Sequence, residues 1–110
     1  MTERIKVLVE RTLNPNLREY HVKARISTTH IDMFYFPLGS DSAEDLANVG
    51  PVGKSIVEHL NTLDGIEQVF ITPYSITVSK CAAYDWKDIE TDILFSLEQA
   101  LGQSIDVTNL

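Results

Sequence analysis

Residues 63–86, LDGIEQVFITPYSITVSKCAAYDW, carry a helix end, a β-hairpin and a helix start in consecutive signals. Leu63-Asp64-Gly65 stops a helical pattern with a residue that tolerates positive φ, and Ile66 to Ile71 then predict a strand. Thr72-Pro73-Tyr74-Ser75 is the turn. On the return strand Ile76 and Val78 alternate with Thr77 and Ser79, and Asp85 is placed to cap a final helix beginning near Trp86.

Upstream of this unit the pattern is also strand-like. Ile5, Val7 and Val9 alternate with polar neighbours, and the turn Leu13-Asn14-Pro15-Asn16 follows. A second strand sets Tyr20, Val22, Ala24 and Ile26 against Glu19, His21, Lys23 and Arg25, the pattern of a sheet with one wet face. A third sets Ile31, Met33 and Tyr35 against His30, Asp32, Phe34 and Phe36. Ser42 with Asp45 resembles a capping box opening a short helical turn, and Pro51 suits the first turn of a helix. Val52, Ile56, Val57, Leu60 and Leu63 then collect on one helical face. The last helix has the apolar stripe Trp86, Ile89, Ile93, Leu94, Leu97 and Leu101 and stops at Gly102. The expected fold is therefore α+β: a two-layer sandwich with an antiparallel or mixed sheet of about five strands and two main helices on one face. Residues 1–102 form a single domain in this scheme, and residues 103–110 a loose C-terminal tail.

Composition narrows the function classes. The chain of 110 residues is 44% hydrophobic and 23% charged, which is globular, and no Pro/Gly-rich or polar tract marks a linker. Sixteen acidic against nine basic side chains give a formal charge of -7, which argues against nucleic acid and against an anionic membrane. The amino-terminal MTERIKVLVE interleaves charge with apolar residues and predicts neither signal peptide nor membrane span. One cysteine forms no internal disulfide, and a cytoplasmic protein is expected.

No catalytic constellation emerges, so the expectation is that the protein is not an enzyme. Cys81 is the single thiol and lacks a neighbouring base in any familiar signature; an iron-sulfur role for it would require ligands from another chain. His30 and Asp32 share a strand face, and His21 on another strand is a conceivable third ligand, so an alternative metal or redox function would use Cys81, or these three residues. Asp85, Asp88, Glu90 and Asp92 lie within two helical turns and cannot all converge on one cation, and Asp85 and Asp88 are explained by capping and the helix dipole. Gly50-Pro51-Val52-Gly53-Lys54-Ser55 lacks the glycine spacing of a phosphate-binding loop. Because Val69, Phe70 and Ile71 are consecutive, at least one large apolar side chain points away from the helices. Phe34, Phe36, Val69 and Ile71 are accordingly the candidate residues of a partner surface on the open sheet face, unless a bulge or a loop covers it.

Taken in order, several motifs resemble one family over about nine-tenths of the chain. They are Thr12 with Asn14-Pro15-Asn16, the helix start Gly50-Pro51-Val52-Gly53-Lys54, the Asp64-Gly65-Ile66 turn, the hairpin Val69 to Lys80, and Asp85-Trp86. The sequence resembles the N-terminal domain of the Nfu/NifU-type iron-sulfur scaffold proteins, with Asn14, Pro15, Asn16, Gly65, Lys80 and Trp86 as its motif residues. The resemblance implies a small α/β module that accompanies a cluster-carrying domain with a C-x-x-C motif. This chain lacks that motif and resembles the stand-alone members. Two functions follow. The first is an accessory interaction domain of iron-sulfur assembly, binding an assembly factor or client, itself a monomer or weak homodimer and holding no cofactor unless iron or a cluster is shared in an assembly. The alternative is a small iron-binding or redox-responsive protein using Cys81, or His30, Asp32 and His21.

Overall fold

A computed structural model describes residues 3–110; residues 1 and 2, assigned to the same domain above, lie outside the described residues. The expected strands and helices form, and one strand more. In chain order they are β1 (Ile5–Arg11), β2 (Leu17–Val22), β3 (Asp32–Tyr35), a short 3-10 turn over Ser40–Ser42, α1 (Ala43–Asn48), α2 (Gly50–Leu60), β4 (Ile66–Thr72), β5 (Ser75–Lys80), α3 (Trp86–Leu101) and β6 (Ile105–Asn109).

The strands make one mixed sheet in the order β3-β4-β5-β2-β1-β6. Every pairing is antiparallel except β1 with β6, which is parallel. Residues 103–110 are therefore not a loose tail. Ile105 to Asn109 pair in register with Ile5 to Val9, and the Leu110 N–H donates to the Val9 carbonyl at 2.8 Å. β5 and β6 run in the same direction with β2 and β1 between them, so α3 is the crossover that spans those two strands.

The helices lie on one face of the sheet and enclose the core. The predicted stripes supply it: Ile56, Val57 and Leu60 from α2, and Ile89, Ile93 and Leu97 from α3, are buried against Val7, Val9, Tyr20, Val22, Ile76 and Val78. Gly102 ends α3 in the left-handed region at φ 67°, its N–H donating to the Glu98 carbonyl. The Asp85 side chain makes no cap hydrogen bond, and neither does that of Ser42, so both N-termini are entered by backbone geometry alone.

The hairpin closes on Pro73 and Tyr74, since Thr72 pairs with Ser75. Neither takes positive φ, unlike the residues of the usual two-residue hairpin. The turn is anchored from outside instead: the Tyr74 and Pro73 carbonyls accept from the Val22 and Ile26 N–H groups, each at 2.8 Å. This also explains why β2 stops at Val22, four residues before the expected end. Ile26 remains buried, but its chain is tied to the turn rather than to a strand.

The third strand has the opposite phase from its apolar alternation. Phe34 pairs with Val69 and both face the helices, at 2% and 0% exposure, while Met33 and Tyr35 face outward. A register shift between Ile66 and Gln68 lets Ile66 and Val69, three positions apart, share the core face.

Candidate functional site

Two regions gather polar and aromatic side chains. The first lies on the helix side of the sheet, where the β1–β2 turn, the end of β5 and the start of α3 meet. Asn14 bridges its own turn, its Oδ1 accepting the Asn16 N–H at 2.9 Å while Thr12 Oγ1 donates to its carbonyl. Asn16 then accepts twice from Lys80: the backbone N–H donates to its carbonyl and Nζ to its Oδ1 at 3.0 Å. Trp86 Nε1 donates to the Pro15 carbonyl at 2.8 Å. The Trp86 ring lies 4.7 Å from the Arg18 guanidinium and 5.8 Å from Lys80 Nζ, both within cation–π range.

Behind this ring a polar relay enters the core. Glu90 Oε1 accepts from Arg18 Nη1 at 2.8 Å and from the Tyr20 hydroxyl at 2.9 Å. Burial, and then the adjacent Glu90 carboxylate, push the Tyr20 phenol well above its ordinary range, so it stays protonated and donates. The motif residues Asn14, Pro15, Asn16, Lys80 and Trp86 are thus brought together, with Lys80 bonded to Asn16 and Trp86 to Pro15. Gly65 stands beside them, with φ 90° and a position where a Cβ would lie 2.7 Å from the Tyr84 ring. This corner fastens α3 to the sheet; a groove of about 370 Å³ along it is lined by Arg11, Asn14, Leu17, Arg18 and Trp86 among others.

The second region is the sheet face opposite the helices. Strand alternation and register place Met33, Tyr35, Phe70, Gln68 and Thr77 at its β3 end and Glu10, Glu19, His21 and Leu8 at its β1–β2 end. Tyr35 is 62% exposed and Met33 40%, with Phe70 half-buried beside Met33 in the ladder. Among the described residues no helix covers this face.

The candidate residues fall differently from expectation. Of the proposed partner surface, Phe34, Val69 and Ile71 belong to the core, and Phe36 packs against it. Consecutive Val69-Phe70-Ile71 does send one apolar side chain outward, and that residue is Phe70. The surface carries Met33, Tyr35 and Phe70 in place of the four residues expected, because β4 pairs with β3 in a register that turns Phe34 inward.

The alternative metal set is not assembled. β3 and β2 are separated by β4 and β5, so His30 and Asp32 do not meet His21. Asp32 accepts from Thr29 Oγ1, and Cys81 is half-buried with its N–H on the Gly65 carbonyl at 2.7 Å. His21 instead lies between two carboxylates, Glu10 Oε1 at 2.8 Å and Glu19 Oε2 at 3.3 Å. Among the described residues this is the one group of three histidine, cysteine or carboxylate side chains close enough to share an ion. Sequence alternation put Glu19 and His21 on the wet face, but Glu10 joins them only through the β1–β2 register.

Among the described residues no helix is long and apolar enough to cross a membrane. The family profile described as "Scaffold protein Nfu/NifU N terminal" matches residues 7–104. No curated protein matches the sequence. Among solved structures, the chain is similar to a NifU-like protein from Saccharomyces cerevisiae, with a TM-score of 0.56 at 19% identity, covering 94% of this chain and 84% of that one. It is also similar to a Staphylococcus aureus protein solved by NMR, with a TM-score of 0.55 at 16% identity, covering 82% of this chain and 86% of that one. These two likenesses concern the fold.

Proposed function

Because the chain belongs to the Nfu/NifU scaffold N-terminal family, we propose that it is a non-enzymatic docking domain of iron-sulfur cluster assembly that binds a cluster-carrying protein through its open sheet face. The observation that carries this reading is the outward row of Met33, Tyr35 and Phe70 at the β3 edge, on a face that no helix among the described residues covers. Large aromatic and methionine side chains clustered on an otherwise polar surface are the usual anchors of a protein interface. The β3 edge adds a line of unpaired backbone groups beside them, a second means of engaging a partner.

The motif corner supports the same assignment by what it does with its functional groups. Arg18, Tyr20, Lys80 and Trp86 are engaged with Glu90, Asn16 and Pro15, and hold α3 in place. Nothing there combines a nucleophile, a base and an oxyanion donor.

The test is binding to an Nfu-type C-x-x-C domain by calorimetry, comparing Tyr35→Asp and Phe70→Asp with Glu58→Lys on the exposed side of α2. Each sheet-face change is expected to weaken binding by about thirtyfold, the effect of losing one interface anchor of about 2 kcal/mol. Weakening by Glu58→Lys, with the sheet-face variants folded and their binding unaffected, would overturn the proposal.

A further inference from the structure

We infer that Glu10, Glu19 and His21 form a binding site for a divalent first-row transition cation on the open sheet face, separate from the apolar docking row. The three residues offer one imidazole nitrogen and two carboxylate oxygens, all within 4.8 Å of one another. Bonds of about 2.0–2.2 Å to a common ion place neighbouring donors about 2.9 Å apart at octahedral angles and about 3.4 Å apart at tetrahedral ones. His21 Nε2 stands 2.8 Å from Glu10 Oε1 and 3.3 Å from Glu19 Oε2, so the imidazole already has nearly the spacing from each carboxylate that a shared ion would impose.

The backbone holds this arrangement. β1 lies between β2 and β6, and β2 between β5 and β1, so both strands are fixed by ladders on each side. Glu10 and Glu19 are direct partners in the β1–β2 register. Like charges facing each other across a ladder repel, and a cation between them converts that repulsion into attraction. A third strand contributes an outer contact, Thr77 Oγ1 donating to Glu19 Oε1 at 3.4 Å.

The donor set selects the class of ion. An imidazole beside two carboxylates suits zinc, ferrous iron, cobalt or manganese, whereas magnesium and calcium prefer oxygen alone. The three side chains are 35–48% exposed, which leaves the solvent side of an ion open to water or to a ligand brought by a partner.

The experiment is calorimetric titration of the metal-free full chain with Zn2+, with the His21 imidazole nitrogen resonances followed in parallel. One saturable site is expected, with the His21 Nε2 resonance shifted. His21→Ala, Glu10→Gln and Glu19→Gln are each expected to weaken Zn2+ binding at least about tenfold, a loss of the size that perturbed metal sites show. His30→Ala, Asp32→Asn and Cys81→Ser should leave it unchanged. Displacement of Zn2+ by a modest excess of Mg2+ would reveal general attraction to an acidic protein and overturn the assignment. Undiminished binding in His21→Ala would overturn it as well, and so would loss of binding in Cys81→Ser.

Discussion

Trp86 Nε1 donates to the Pro15 carbonyl at 2.8 Å, joining the first residue of α3 to a turn 71 positions earlier. The bond closes the corner through which the crossover helix is fixed to β1 and β2. Trp86→Phe is expected to cost about 1 kcal/mol through loss of one hydrogen bond. Trp86→Ala, which also uncovers Arg18 and Lys80, is expected to cost about 2–3 kcal/mol, below a fully buried tryptophan because the ring is part-exposed. Urea unfolding followed by circular dichroism measures both.

Glu90 is the shared acceptor for Arg18 and Tyr20. Glu90→Ala leaves a mostly buried guanidinium and a buried phenol without their acceptor, and a loss of about 2–4 kcal/mol is expected. Glu90→Gln keeps the shape and an acceptor oxygen, so a smaller loss is expected. Equal losses in the two variants would show that the charge of Glu90, which both remove, rather than its packing or its acceptor oxygen, sets the energy.

The raised pKa of Tyr20 has a definite sign in alkali. Unfolded tyrosine releases its proton near about pH 10, whereas the folded residue retains it, so the unfolded state binds fewer protons above that value. The contribution of Tyr20 is complete below about pH 10 and falls above it, by as much as about 1.4 kcal/mol per pH unit. Tyr20→Phe should be less stable at neutral pH and should show a flatter alkaline decline. A decline identical to that of the unsubstituted protein would contradict this.

β6 covers the outer edge of β1 from Ile5 to Val9. Removing residues 105–110 exposes that ladder, and β1 then offers a free edge to another chain. The truncated protein is expected to be less stable and to self-associate with increasing concentration in sedimentation velocity. Retention of full stability would show that the parallel pairing contributes little.

Much of this architecture was legible in local pattern. The hairpin, the two amphipathic helices and the alternation of β1 depend on neighbours a few residues apart, and residues 63–86 contain most of those signals. The phase of β3 was not legible, because Met33 and Tyr35 on one parity and Phe34 and Phe36 on the other are all apolar. Pairing of Phe34 with the buried Val69 decides the phase, and that is a tertiary fact. β6 was not legible because its alternation rests on Ile105 and Val107 alone, and every residue of this short edge strand except Ile105 is exposed. The Glu10–Glu19–His21 group was half visible: two members share a strand, and the third arrives through register alone. The motif residues are legible as a set in the sequence, but their mutual contacts exist only where the turn, β5 and α3 meet.

The docking assignment is tested most directly by mapping amide shifts of this protein on titration with an Nfu-type C-x-x-C domain. The account predicts that perturbations concentrate at Met33, Tyr35, Gln68 and Phe70, across the outward side of β3 and β4. Perturbations confined to the outer surfaces of α2 and α3, with the sheet face unchanged, would contradict it.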